Sequence, residues 1–142
     1  MATVYEVSPG DLIPAAAKDL KENVKIKKPD WAEYVKTGAH VERIPENPDW
    51  WFHRAASVLR KVYINGPVGV QSLRVAYGST ENRGVKPSAF RKAGGKNVRV
   101  ILQDFDKLGF TEKVVTKGQC GRRVTSKGQS YLDKIAGNIL KK

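Results

Sequence analysis

Apolar positions recur at helical spacing along most of the chain and at strand spacing only in a short stretch after residue 109. Ser8-Pro9-Gly10-Asp11 opens a first helix in which Leu12, Ala16 and Leu20 line one face. Lys27-Lys28-Pro29-Asp30 interrupts it, and residues 30–38 predict a short helix that brings Trp31 and Val35 together. Pro45 and Pro48 bracket a turn before WWFHRAASVLRKVY, a central helix over 50–63 that begins after Asp49 and stops at Asn65-Gly66-Pro67. Residues 68–78 then set Val70, Leu73 and Tyr77 on one helical face and turn Arg74 away from it. Residues 78–94 are poor in apolar side chains and long for a connection; one helical turn is expected around 88–91. In KNVRVILQDFDKLG, Val98, Ile101, Leu102, Phe105 and Leu108 form a buried stripe opposite Lys96, Arg99, Gln103 and Lys107. FTEKVV and RRVT read as two strands around the turn TKGQCG. Thr125 caps a last helix expected to bury Tyr131, Leu132, Ile135 and Leu140.

The central helix has two faces. With Arg54 at zero and about 100° per residue, Trp51, Ala55, Val58, Leu59 and Val62 share an apolar arc, while Trp50, His53, Ser57, Arg60 and Lys61 crowd into the remainder with Arg54. Trp51 is therefore expected in the core, where truncation is costly. Trp50 is expected on the basic face beside Arg54 and Ser57, where indole and guanidinium suit base stacking and phosphate binding. The competing expectation is that Trp50 caps the core at the helix end and the cations are merely solvated.

Charge separates these readings. The 142 residues, 40% hydrophobic and 28% charged, suit one soluble domain with its own core, but the net charge of +12 exceeds what such a domain needs. Residues 1–48 hold seven Lys/Arg against eight Asp/Glu, and residues 49–142 hold nineteen against six, so the whole excess follows residue 48. Between residues 54 and 99, ten cations meet one acid, Glu81. Such segregation points to a polyanion, and to nucleic acid rather than a membrane, because every basic helix also has an apolar face with a core to join. Arg83, Lys86, Arg91 and Lys92 are expected to clamp phosphates from the 78–94 segment, and Lys96 and Arg99 from the helix that follows. The tips of Arg54, Arg60 and Arg99 are expected to converge on one surface. The near-neutral residues 1–48 are expected to pack away from the polyanion.

Catalytic and metal chemistry find little support. Cys120 is the single cysteine and falls in the expected turn, so no internal disulfide or cysteine-based zinc site forms, and a reducing cytoplasm is the natural setting. No Walker loop, GxGxxG, HExxH or GxSxG pattern occurs. His40 and His53 lie on different elements without neighbouring ligands, and His53 is expected to meet solvent or phosphate. Asp104 and Asp106 point about 200° apart on a helix, wrong for a paired acid and base. Binding without cofactor or turnover is the reading, and no run of about 18 apolar residues suggests a membrane span.

The order helix, helix, two-stranded wing, closing helix resembles a winged-helix domain. The motifs WAEYVKTG at 31–38, WWFHRAAS at 50–57, GPVGV at 66–70, YG at 77–78, NRGVKPSAF at 82–90 and LDKIAG at 132–137 resemble, in that order and spacing, the e-type small-subunit ribosomal protein nineteen family of archaea and eukaryotes. The resemblance implies a mainly α fold, a helical bundle around a central amphipathic helix with one β-hairpin. It also implies a structural component of the small-subunit head that binds rRNA, supports late subunit maturation and neighbours other head proteins. The family's rRNA-facing surface, carried over, falls on Trp50, Arg54, Ser57, Arg60 and Arg99; Lys61, Arg83, Lys86, Arg91, Lys92 and Lys96 are added from charge and helical geometry. The opening MATVY and the short C-terminus point to the archaeal branch. The expectation is one rRNA-binding domain over 1–142, monomeric when isolated, cytoplasmic and ribosome-bound. The alternative is a winged-helix DNA-binding regulator that reads the major groove with 96–107 and uses Arg122-Arg123 on the wing.

Overall fold

The structure, a computed structural model, describes residues 2–142. After a 3-10 turn at Val4–Glu6, α1 (Pro9–Asp19) starts from Ser8, whose hydroxyl accepts from the Gly10 amide at 3.2 Å. It continues through a π-wound turn, Leu20–Val24, and stops at Lys25, held in the left-handed region at φ 56°. The expected helix at 30–38 is only a 3-10 turn, Asp30–Glu33. Pro29 starts it, and only Ala32 within it is buried, so one turn is all the packing supports.

The axis of the fold is α2 (Trp50–Asn65). Trp51, Ala55, Val58, Leu59 and Val62 are fully buried, packed with Leu12 and Leu20 on one side and Ile101, Leu102 and Phe105 on the other. Burying such side chains contributes about 1.5–3 kcal/mol each, which ranks this face above any single surface contact. Next come α3 (Val70–Tyr77) and α4 (Gly95–Leu108), the latter ended by Gly109 at φ 78°. β3 (Thr111–Thr116) and β4 (Gln119–Val124) form the wing, and α5 (Ser126–Leu140) closes the bundle. Thr125 joins wing to helix: its hydroxyl donates to the Gly109 carbonyl at 2.6 Å and accepts from the Gly128 amide at 3.3 Å. Val68 exchanges both backbone bonds with Arg122, at 3.0 and 2.9 Å, and so supplies the third strand position that a winged-helix sheet has between its first two helices.

Three expectations need correction. Residues 78–94 form a second antiparallel hairpin, β1 (Ser79–Glu81) with β2 (Ala89–Arg91), in place of the helical turn at 88–91. Its root is pinned by Arg74, whose Nε donates to the Ala93 carbonyl at 2.8 Å, while Gly94 donates to Thr37 at 2.8 Å. Gly78 permits the approach, since a Cβ there would lie 2.8 Å from the Phe90 ring. The wing strands are longer than expected and turn at Lys117-Gly118, so Cys120 lies exposed on β4 rather than in the turn. Leu140 is 52% exposed; Leu132 and Ala136 bury the end of α5 instead.

Candidate nucleic-acid interface

The first residue of α2 departs from its expected place. Trp50 is buried, its ring meets Trp51 edge-on at 5.5 Å, and its Nε1 donates to the Ala32 carbonyl at 3.2 Å. It is not open for base stacking. The helical phase is as drawn, but the turn at Asp30–Glu33 folds over that arc and makes it interior.

One turn further on, the basic face is organised by Tyr77, a residue expected only in the core. The Arg54 guanidinium lies over the Tyr77 ring, 4.1 Å from its centroid, and Lys61 Nζ approaches the same ring at 5.4 Å. The Ser57 and Tyr77 hydroxyls share a 2.7 Å hydrogen bond that fixes the ring. Burial pushes the Arg54 guanidinium below the ordinary arginine value, opposed by Tyr77, yet it stays charged at neutral pH. Burial likewise raises the Tyr77 phenol, opposed by the Ser57 bond and by Arg54 and Arg60. Arg60 is half-buried with an Nε that has no partner. Tyr77 was assigned only to the buried face of α3; the sequence signal that could have found it is the YG pair that closes this helix opposite α2.

The hairpin cations are less uniform than expected. Arg91 pairs with Glu81 at 2.9 Å, Arg83 donates to the Pro87 carbonyl at 3.3 Å, and Lys92 reaches Gln71 at 3.5 Å. Lys86 stands exposed beside the fully exposed Val85 at the tip. On α4, Arg99 is exposed, and Lys96 sits over the Trp31 ring at 5.0 Å. Around Tyr77 the geometry gathers Arg54, Ser57 and Lys61; Lys96 and Arg99 belong to a separate helix, and the hairpin carries the remaining four. Of the ten cations between residues 54 and 99, Arg91 alone has an acidic partner among the described residues.

Outside that run, five cations have an acidic partner among the described residues, both wing arginines included. Arg122 pairs with Asp106 at 2.8 Å, Arg123 with Glu112 at 2.5 Å, and Lys21 with Asp49 at 2.9 Å. The near-neutral N-terminal part is not wholly remote from the basic face. Thr37, Val41, Arg43, Ile44, Pro45 and Asn47 form one wall of a groove of about 630 Å³ whose other wall includes Trp50, His53, Arg54, Ser57 and Tyr77. Among the described residues no group of three or more potential metal ligands comes together, and no helix is long and apolar enough to cross a membrane.

Comparison with known proteins finds relatives along nearly the whole chain. A family model described as ribosomal protein S19e matches residues 3–142. A small ribosomal subunit protein eS19 of Haloarcula marismortui is 44% identical, over 99% of this chain and 92% of the relative. The protein of the same name from Aeropyrum pernix is 43% identical over 99% and 91%, and that from Entamoeba histolytica 41% over 99% and 88%.

Proposed function

We propose, because this chain belongs to the ribosomal protein S19e family, that it is a structural constituent of the small ribosomal subunit in the cytoplasm and acts there as one rRNA-binding domain. It holds rRNA against the face built from α2, the β1–β2 hairpin and α4, and through that contact supports maturation of the subunit. The observation that carries this reading is the run of ten cations between residues 54 and 99 with one ion-paired member, while both wing arginines are paired internally. A fold that gained only solubility from its cations would have no reason to segregate them so. Counterion release from rRNA phosphates uses this arrangement directly. The pairing of Arg122 and Arg123 also weighs against a DNA regulator, which would need them on the wing for phosphate. Nucleic-acid binding, without turnover, by a protein monomeric when isolated and flanked by other subunit-head proteins is the complete reading.

The test is charge reversal at Arg54, Arg60 and Arg99, each checked for folding by circular dichroism and then for entry into small subunits by gradient sedimentation. Folded variants are expected to stay at the top of the gradient. Arg54→Lys is expected to impair entry already, because an ammonium lacks the guanidinium's paired donors. Each Arg→Ala should lower the slope of log affinity against log salt by roughly 0.7–0.9. Folded reversals that sediment with subunits at the wild-type level would overturn the assignment.

A further inference from the structure

The groove between residues 37–47 and α2 has a composition that the basic face as a whole does not. Ile13, Val41, Ile44 and Pro45 make an apolar surface, and Arg43, His53 and Arg54 place nitrogen donors beside it. No carboxylate lines it; Glu42 and Glu46 lie in the same segment but are not among its walls. Its volume of about 630 Å³ falls within the roughly 300–1,000 Å³ of small-ligand sites.

Arg54 shows what the groove lacks. Its guanidinium carbon lies 4.1 Å from the centre of the Tyr77 ring, and it makes no hydrogen bond to any described residue. Lys61 is held to the same ring, so two like charges are kept together on one aromatic platform with no acid to balance them. A half-buried cation without an acceptor is costly, and an anion seated against it would offset that cost. The occupant must therefore carry negative charge at one end and a flat apolar surface at the other. A base-paired strand offers phosphate at its edge but keeps its bases stacked inside. An unpaired nucleotide presents both.

We propose that this groove receives one unpaired nucleotide of an RNA strand, with its base against Val41, Ile44 and Pro45 and its phosphate on Arg54. The inference rests on the rRNA-binding reading above and adds to it the kind of RNA recognised, a splayed-out base rather than a duplex backbone alone. Tyr77 and Ser57 act as positioning residues that hold the Arg54 guanidinium beside the groove.

The experiment uses the full chain and follows the Val41 and Ile44 methyl groups and the Trp50 indole by NMR during titration with adenosine 5′-monophosphate, inorganic phosphate, a short single-stranded RNA and a base-paired RNA hairpin of equal charge. The methyl groups should shift with the nucleotide and the single strand and stay still with phosphate alone. Ile44 is 53% exposed, so Ile44→Glu should fold. It should lower the ratio of single-strand to hairpin affinity roughly tenfold, the scale of one lost base contact. Tyr77→Leu should reduce that ratio too, and Tyr77→Phe, which keeps the ring, should recover most of it. Methyl groups that respond to phosphate alone, or to neither the nucleotide nor the single strand, would overturn the proposal, as would an unchanged ratio in Ile44→Glu. If Arg99→Glu still weakens hairpin binding while Ile44→Glu is silent, the groove assignment fails and the rRNA-binding reading stands. If Arg99→Glu is silent as well, both fail.

Discussion

Trp50 offers the sharpest test of how this face is built. The perturbation is a pair of series, Trp50→Phe and →Ala against Trp51→Phe and →Ala. Both indoles are buried, so each alanine should cost about 3–5 kcal/mol through lost burial and the cavity left behind. For a domain of this size that lowers Tm by on the order of 6–20 °C. The phenylalanines separate the two. Trp50 Nε1 donates to the Ala32 carbonyl at 3.2 Å, and its loss orphans a buried acceptor at an added cost of about 1–3 kcal/mol. Trp51 Nε1 is buried with no partner, so Trp51→Phe removes an unsatisfied donor and regains part of what the smaller ring loses. Trp50→Phe should therefore melt below Trp51→Phe although both keep an aromatic ring. Chemical denaturation followed by far-ultraviolet circular dichroism measures this. A Trp50→Ala that melts near wild type while RNA affinity collapses would mean that Trp50 stands open as a stacking platform and that the Asp30–Glu33 turn does not cover it.

Arg122→Ala leaves the half-buried Asp106 without its cation and should cost about 1–3 kcal/mol of stability; filter binding should show an unaltered salt slope, and a slope lowered as in Arg54→Ala would bring the wing into the interface. Gly128→Ala should destabilise by about 1–3 kcal/mol, since its Cβ would overlap the Phe110 carbonyl oxygen and crowd Val124 at 2.7 Å, and a melt within error of wild type would contradict that packing. Tyr63 is pushed up to about 12 by burial and its bond to Asp133, and Tyr131 is raised by burial and its bond to Asp19. Their folded values lie above the unfolded value of about 10, so the stability they supply is full below about pH 10 and is lost as pH rises beyond it; denaturant midpoints that stay level up to about pH 12 would refute this. Lys18→Glu should leave RNA affinity unchanged, and it is a cleaner probe than Lys21, which is paired with Asp49.

Helices carrying a continuous stripe were legible from the chain alone. Val98, Ile101, Leu102 and Phe105 are buried where their spacing put them, and so are Trp51, Val58, Leu59 and Val62. What failed depended on partners distant in sequence. Trp50 sits at the angle the wheel gives it, but the wheel cannot show that the carbonyl of Ala32, eighteen residues earlier, closes over it. The hairpin of residues 79–91 was missed because strands of three residues are too short to display alternation, and Thr80 faces Phe90 only once the chain has turned. Tyr77 was correctly set on the inward face of α3, yet its chemistry comes from α2, through Arg54, Ser57 and Lys61. The groove beside it was invisible for the same reason, since residues 37–47 have no periodicity and acquire a role only where they fold beside α2.

The distribution of partners among the cations is the step that joins fold to function. Charges that the fold uses for itself are paired: Lys21 ties α1's extension to the start of α2, Arg122 ties β4 to α4, and Arg123 ties the two wing strands together. Between residues 54 and 99, nine of the ten cations have no carboxylate partner among the described residues, and this segment also bends back on itself through the pinned hairpin. At physiological salt, fields fade over about 8 Å, so the cations that reinforce one another most are those held on one ring. Arg54 and Lys61 at Tyr77 meet that condition. The Arg54 contribution to phosphate binding should therefore exceed that of Lys86 at the exposed hairpin tip even though both carry one charge. The fixed guanidinium has already lost its rotamer freedom on folding, and the lysine must lose its own on binding.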